Sequence, residues 1–349
     1  MNDTDFAPSP GRGGRILTEV ILVVLVPCLG LMACGLCDAD LVNSLLGKPT
    51  SASRQFAVPV TDAVRIDHDK VLTVQLQGQI RLWNFAETTL LGEMQSHITE
   101  ISCVAFSEKQ QLLALGSYNG ALEMWDLEHP DSPEFVKAPL PGQIIDCQFT
   151  PDGLTLLTAG SSGQINLWDA RQLELRETWE VPAPLELIRS LAVSADGQCV
   201  LAATFDGNVQ VWDLKHGRHL RSHQISVRTP DRENDYASID TVVFGTRNQE
   251  FIAVTRNAGA GIWNMATGAS IRRFEGAFTD LRNGVISPDG RRFIAGTNRG
   301  QIVTWDTTTG KRIGGVQQLP TTVKCLLYNA NGSAYLTGDW NGQVRFHHN

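Results

Sequence analysis

The sequence lacks the residue patterns that most enzymes and nucleic-acid-binding proteins need. Its 29 basic residues are fewer than its 37 acidic ones, and the formal net charge is −8. Such a chain has no overall basic footprint for nucleic acid. It contains no Gly-x-Ser-x-Gly elbow, P-loop, His-Glu-x-x-His or dinucleotide glycine pattern. We therefore expect no catalytic residues, no cofactor and no nucleic-acid partner.

Cysteine is too scattered for a disulfide framework or a zinc site. Three of the seven cysteines cluster near the N-terminus, and the other four occur singly. We expect Cys103, Cys147 and Cys325, which occupy the same place in three different units, to be buried apolar residues. Asp67-His68-Asp69 is the one compact acid–His–acid cluster, and we interpret it as a strand end and its turn, because a metal site needs more ligands. His347 and His348 end the chain and are not interpreted as a metal site.

One long apolar run lies near the N-terminus. The eighteen residues of 20–37 carry no charge, and a helix of that length spans about 27 Å, near the thickness of the membrane core. Arg12 and Arg15 precede the run, which favours a cytoplasmic N-terminus. We expect a cytoplasmic or signal n-region over 1–15, an apolar transmembrane or signal helix over 16–37, and a linker over 38–53. The rest of the chain would then lie on the non-cytoplasmic side, periplasmic or extracellular.

The end of this run also resembles a bacterial lipoprotein signal. Leu31-Met32-Ala33-Cys34 has the aliphatic residue, spacer, small residue and cysteine of such a box, although Met is unusual at the second place. Cys34 is therefore a lipidation candidate. Pro27 and Gly30 weaken a helix, which suits a cleaved signal. Lipidation, an uncleaved anchor and plain cleavage all remain open.

The remainder of the chain is one unit repeated seven times. A glycine, an alternating apolar strand, Trp and then Asp or Asn recur at spacings of 42, 43, 44, 51, 42 and 42 residues. In the seventh copy a histidine replaces the Trp. The repeated positions are Trp83, Trp125, Trp168, Trp212, Trp263, Trp305 and His347. Period-two alternation and turns such as Pro288-Asp289-Gly290 predict four antiparallel strands per unit, the content of one propeller blade.

These residues resemble the WD-repeat (Trp-Asp repeat) β-propeller family over roughly residues 54–349. The resemblance implies an all-β, seven-bladed propeller of four-stranded antiparallel blades, in which the six Trp residues are structural. It also implies that residues 54–60 supply the missing rim strand of the seventh blade and close the ring. Closure would leave no unpaired edge among the blades.

The repeat departs from the family in its hydrogen-bonded set of His, Ser or Thr, Asp and Trp. Thr204, Asp206 and Trp212 supply three of the four members in one unit, without the His. Elsewhere the Asp position holds other residue types. We expect packing of apolar side chains, rather than these networks, to hold most blades together.

The turn between the second and third strands of each unit predicts a binding face. In the family this turn opens on the face that partners use. Counting seven residues back from each Trp position gives Leu76, Tyr118, Ser161, Phe205, Arg256, Asn298 and Trp340. Large residues are unusual in turns, and exposed Trp, Tyr and Arg dominate interface energies. We predict that Trp340, Leu76, Tyr118, Phe205 and Arg256 bind a protein partner; the alternative is that the aromatic rings fold back as lids on the blades.

An insertion points to the same face. The surplus of the long fourth spacing falls in residues 226–236, which read as a solvated loop. Together these features predict a membrane-tethered, non-catalytic scaffold for protein–protein interaction. One alternative is a small-ligand-binding or enzymatic propeller that uses its central channel, although no polar set is expected at matching inner-strand ends. The other is a cytosol-facing scaffold of an intracellular complex.

Overall fold

The fold is described by a computed structural model over residues 58–128, 134–135, 140–182, 187–225, 238–245, 247, 249–256, 258–276 and 278–348. The segments predicted over 1–15, 16–37 and 38–53, with Cys34, lie outside these residues, so the expected N-terminal helix has no structural support. The loop over 226–236 and most of the closing segment 54–60 also lie outside them. Within the described ranges, no helix is long and apolar enough to cross a membrane.

The described residues form 27 strands in seven antiparallel sheets, and each sheet follows chain order. The blades are, in order, β1 Val60–Arg65, β2 Lys70–Gln75, β3 Gln79–Asn84, β4 Thr89–Gln95; β5 Ile101–Ser107, β6 Leu112–Ser117, β7 Leu122–Asp126, β8 Glu134–Phe135; β9 Ile144–Phe149, β10 Thr155–Gly160, β11 Gln164–Asp169, β12 Leu175–Glu180; β13 Ile188–Val193, β14 Cys199–Thr204, β15 Asn208–Asp213, β16 Arg218–Gln224; β17 Ile239–Phe244, β18 Glu250–Thr255, β19 Gly259–Asn264, β20 Ser270–Arg273; β21 Leu281–Ile286, β22 Arg292–Thr297, β23 Gln301–Asp306, β24 Arg312–Gln318; and β25 Val323–Tyr328, β26 Ala334–Asp339, β27 Val344–His348. The predicted all-β propeller of seven blades is confirmed.

The hairpin turns follow from local chemistry. In the turn between β21 and β22, the Ser287 hydroxyl donates to the Asp289 carboxylate at 2.6 Å, and the Gly290 N–H donates to the Ser287 carbonyl at 2.8 Å. Gly290 has a φ of 68°, a conformation that glycine adopts without steric cost. The Pro-Asp-Gly signal in the sequence therefore marks a real reversal of the chain.

The apolar core is divided into layers between neighbouring blades. Trp125 of the second blade packs in one cluster with Leu72 and Leu82 of the first. Trp212 stacks on Trp179 of the preceding blade, with 5.2 Å between ring centroids. In both cases the Trp of one blade is buried against the preceding blade, which is why the unit recurs as a stack and not as separate domains.

The Trp position also carries hydrogen bonds in some blades. The indole N–H of Trp83 donates to Thr73 at 2.9 Å, and that of Trp168 donates to Thr158 at 3.0 Å. In the fourth blade the Thr204 hydroxyl bonds to Asp206, whereas the Trp212 indole N–H has no hydrogen-bond partner among the described residues. The hydrogen-bonded set of His, Ser or Thr, Asp and Trp is therefore incomplete in the fourth blade, as predicted.

The ring is closed between the seventh and first blades. Val60 of β1 lies in one apolar cluster with Cys325 of β25 and Leu336 of β26. Phe346 of β27 packs edge-on against Phe85, with ring centroids 5.1 Å apart. Among the described residues the seventh sheet has three strands. Val60 itself begins the inner strand of the first blade, so the rim strand expected from residues 54–60 stays a prediction.

Polar bonds link the inner strands across the blade boundaries. Asp62 accepts from the Val104 N–H at 2.9 Å, and Asp146 accepts from the Leu191 N–H at 2.7 Å. The Ser102 hydroxyl donates to the Ile144 carbonyl of the third blade at 2.6 Å. These bonds hold the inner strands in a fixed order around the central channel. The scattered Cys103, Cys147 and Cys325 are buried there as free thiols, as expected.

Candidate binding face at one mouth of the channel

The seven turn residues are held in equivalent positions by the same backbone hydrogen bond. In every blade, the turn residue donates its N–H to the carbonyl of the residue that precedes the inner strand of that blade. The seven bonds run from Leu76 to Pro59, Tyr118 to Glu100, Ser161 to Gln143, Phe205 to Leu187, Arg256 to Ser238, Asn298 to Asp280 and Trp340 to Thr322. The turns therefore lie together at one end of the inner strands, around one mouth of the channel.

The side chains at these positions differ in exposure. Trp340 is 52% exposed, a high value for the largest side chain in proteins. Tyr118, Phe205, Leu76 and Arg256 are half-buried. The lid interpretation thus fits the half-buried aromatics, while Trp340 offers an open apolar surface next to the channel.

A β-bulge marks the second residue of every inner strand. In all seven blades the register with the second strand skips this residue. A bulged residue is left out of the ladder, and its side chain is redirected. The bulged residues are Thr61, Ser102, Ile145, Arg189, Asp240, Arg282 and Lys324. Four consecutive blades, the fourth to the seventh, therefore carry a charged residue at this place.

The bulged residues and one turn residue form an ionic cluster around Asp240. Arg256 contacts both carboxylate oxygens, with Nε and Nη2 each 3.2 Å from an oxygen. Arg189 lies 3.1 Å from Oδ1, and Arg282 lies 3.4 Å from Oδ2. The Asp240 side chain is 2% exposed, whereas the arginine side chains retain 18–28% exposure. Three guanidinium groups thus share one buried carboxylate.

The cluster extends to the exposed aromatic ring. The Lys324 ammonium lies over Trp340, 5.0 Å from the ring centroid, within the range of a cation–π interaction. Arg282 also donates to the Asn298 side chain at 2.7 Å, so a second turn residue joins the group. We call Arg189, Arg256, Arg282 and Lys324, with Asp240, the basic cluster.

The positive groups of the basic cluster lie close enough to affect one another. Burial lowers the pKa of Lys324, and the neighbouring Arg282 and Arg189 lower it further. The pKa of Arg282 is also lowered by burial; Asp240 opposes this effect, while Arg256 and Arg189 add to it. Burial raises the pKa of Tyr118, and Arg189 opposes that rise. Tyr118 therefore lies within electrostatic reach of the same group.

Sequence reasoning missed four members of the basic cluster. Only Arg256 and its turn neighbours were predicted, and the expectation that no polar set converges at matching inner-strand positions is wrong. Arg189, Asp240 and Arg282 each lie 23 residues before the Trp of their unit, and Lys324 lies 23 before His347. The alignment of units contained this signal. What it could not show is that a bulge brings these positions together.

The channel also has a cavity at the other end of its inner strands. Its volume is about 780 Å³, and Val64, Phe106, Phe244, Ile286 and Leu327 are among its lining residues. The lining also includes titratable residues, among them Asp67, His68 and Glu108, so the cavity is not purely apolar. Within the described part of the chain, no group of three or more His, Cys, Asp or Glu is placed to hold a metal ion.

Comparison with known proteins agrees with the propeller. The chain is 24% identical over 248 residues to periodic tryptophan protein 2 of Arabidopsis thaliana, covering 67% of this chain and 25% of that protein. It is 21% identical over 308 residues to a guanine nucleotide-binding protein subunit beta of Solanum tuberosum, and the match covers 80% of this chain and 77% of that protein. It is 26% identical over 309 residues to eukaryotic translation initiation factor 3 subunit I of Aspergillus oryzae, and the match covers 81% of this chain and 88% of that protein. The chain spans about a quarter of the length of the periodic tryptophan protein.

These matches correct the predicted location. One matched relative is named as a subunit of a translation initiation factor, and the family model is named after a nucleolar protein. Both names are those of intracellular proteins. The expectation that the propeller lies on the periplasmic or extracellular side of a membrane is therefore wrong. It rested on two arginines before an apolar run that lies outside the described residues.

The family itself follows from a match that covers well over half of the chain. Residues 67–290, from the first blade into the sixth, fit a single family model. The WD-repeat resemblance read from the Trp spacing is thereby supported. The chain belongs to the family described as Nucleolar protein 10-like, N-terminal domain.

Proposed function

We propose that this protein is a non-catalytic scaffold that binds a protein partner within an intracellular complex. The partner-binding face is the channel mouth that carries Trp340, Leu76, Tyr118, Phe205 and Arg256. The observation that carries the proposal is the exposure of Trp340 beside a charged cluster, because exposed Trp and Arg supply most of the binding energy at protein interfaces. Relatives named as subunits of a G protein and of an initiation factor favour the same class of function.

Anchoring by residues 16–37 and lipidation of Cys34 remain sequence predictions, and the proposed face does not depend on them. The matched subunits of a G protein and of an initiation factor favour a scaffold over a channel-based enzyme. The channel cavity of about 780 Å³ nevertheless has the size of a small-molecule site. It supports small-ligand binding as the second candidate function.

The test is affinity capture with the full chain. Trp340→Ala combined with Tyr118→Ala should remove most of the partner recovered by the wild-type protein, since loss of one interface Trp weakens binding by about 2 kcal/mol or more. Leu154→Ala is the matched control: Leu154 is 50% exposed and lies in the β9–β10 hairpin, at the other end of the inner strands. Undiminished capture by the Trp340/Tyr118 variant, with normal folding, would reject the face.

A further inference from the structure

We infer that the basic cluster is a binding site for a carboxylate of an acidic peptide segment, which lies at the channel mouth and covers Trp340. This inference rests on the proposed function and deepens it, because it states the chemistry of the partner. Three guanidinium groups, one ammonium group and one carboxylate converge there. Four of these groups lie on bulges of four consecutive blades, and the fifth belongs to the turn residue Arg256.

The charges of the described residues favour an added anion at the basic cluster. Asp240 supplies one negative charge against the four positive charges of Arg189, Arg256, Arg282 and Lys324. The nearby Asp280 pairs with Arg299 at 3.5 Å, so that pair adds no net charge. Counted over the described residues, positive groups therefore exceed negative ones by three in one half-buried region of a protein whose formal net charge is −8. A carboxylate from outside would reduce the repulsion among them.

The geometry suits a carboxylate that arrives from solvent. Arg256 occupies both oxygens of Asp240, which leaves Arg189 and Arg282 with one oxygen each. Arg189 and Arg282 are also the most exposed of the three arginines, at 27% and 28%. A guanidinium group presents five N–H donors and binds carboxylates through two of them. These two arginines thus retain donor capacity that faces an accessible region.

The neighbouring groups favour a peptide over nucleic acid. Trp340 and the half-buried Tyr118 offer apolar contact to the side chains that flank an acidic residue. Nucleic-acid binding needs basic residues that follow an extended backbone, whereas this cluster is compact. Outside the basic cluster, the full sequence has more acidic than basic residues. A long polyanion would therefore be repelled beyond the channel mouth.

The experiment measures direct binding of a defined probe to the full chain. Fluorescein-labelled deca-glutamate is titrated with the protein, and its fluorescence anisotropy is recorded at low and high salt. We expect saturable binding that weakens as salt rises. Arg189→Gln combined with Arg282→Gln should weaken binding at least tenfold. This variant keeps Arg256 on Asp240, so the buried carboxylate stays paired.

The matched control is Arg218→Gln combined with Arg221→Gln. Both residues are exposed on the rim strand β16, and this variant removes the same amount of charge. Equal weakening by the two double variants would show non-specific attraction and overturn the site. No binding of deca-glutamate by the wild-type protein would overturn it as well.

Two further outcomes separate this inference from the proposed function. In the first, a labelled ten-nucleotide RNA binds more tightly than deca-glutamate and loses affinity for the Arg189/Arg282 variant. This result would show that the site binds nucleic acid and not an acidic peptide. In the second, capture of the protein partner depends on Trp340 and Tyr118 but is unchanged by Arg189→Gln and Arg282→Gln. This result would support the binding face and reject the carboxylate site.

Discussion

Arg256 contacts both carboxylate oxygens of Asp240, through its Nε and its Nη2, each at 3.2 Å. The two residues reach this position by different routes. Arg256 occupies the turn after the second strand of the fifth blade, and Asp240 is the bulged residue of the inner strand in the same blade. The bulge thus places a buried anion under a turn residue, and the fourth and sixth blades add one arginine each.

Removing the charge of Asp240 should destabilise the fold. Asp240→Asn leaves three guanidinium groups without their shared anion, and loss of one partner from a buried ionic group costs about 3 kcal/mol. The free energy of unfolding, measured by urea denaturation, should fall accordingly and recover in part as salt is added. The control is Asp280→Asn, since Asp280 pairs with Arg299 at the surface, where the loss is about 1 kcal/mol or less. Equal losses in the two variants would contradict a shared buried anion.

A methyl group at Gly338 should weaken the junction that closes the ring. A Cβ on Gly338 would lie 2.5 Å from Val60 Cγ1 and 2.6 Å from Cys325 Sγ, so the first and seventh blades would have to separate. Overpacking of this kind costs about 1–3 kcal/mol. Gly315→Ala is the control, because nothing lies within 4 Å of its added Cβ. We expect a lowered midpoint of urea unfolding for Gly338→Ala alone; an unchanged midpoint would argue against the closed ring.

The sequence predicted the blades better than it predicted the site. Trp spacing and period-two alternation specify the number of sheets, because each unit must bury the same apolar face against its neighbour. The turn residues were also found by counting, since the turn has a fixed distance from the Trp. Arg189, Arg282 and Lys324 were missed because strand alternation assumes a regular ladder, whereas a bulge at each inner strand redirects one side chain. Ion pairing among separate blades follows only from the closed ring.

The channel wall should make stability depend on pH. Burial raises the pKa of Asp62 from its ordinary value of 3.8 to about 7, against hydrogen bonds from Val104 and Ala63 that lower it. The folded protein therefore binds this proton more tightly than the unfolded chain does. Its contribution to the free energy of unfolding is full below about pH 4 and declines as pH rises toward 7. Asp146, raised to about 6 by burial, acts in the same direction.

Asp62→Asn should therefore reduce the decline in stability between pH 5 and pH 7. The decline is measured by thermal unfolding in a series of buffers, and a shift of one pKa unit corresponds to about 1.4 kcal/mol. Asp196→Asn provides the control. The pKa of Asp196 is lowered, chiefly by a hydrogen bond from Ser194, so its effect appears only as pH falls through the acid range. A slope that stays the same in Asp62→Asn would exclude Asp62 as its source.

His347 should stabilise the seventh blade as the Trp residues stabilise others. Its Nε2 lies 2.9 Å from the Thr337 hydroxyl, and its ring stacks on Tyr335 with centroids 4.7 Å apart. His347→Ala removes both contacts and should cost about 1–3 kcal/mol. His348→Ala, at the next and exposed residue, should change stability by about 0.5 kcal/mol or less.

The loss in His347→Ala should also depend on pH. Burial lowers the pKa of His347, and Arg345 lowers it further, so the folded protein favours the neutral ring. Below the ordinary pKa near 6.5 the unfolded chain binds the proton more readily, and the stabilisation declines as pH falls. The difference in free energy of unfolding between wild type and His347→Ala should therefore be larger at pH 8 than at pH 5. A difference that grows on acidification would mean that the charged ring is the stabilising form, and would reject this assignment.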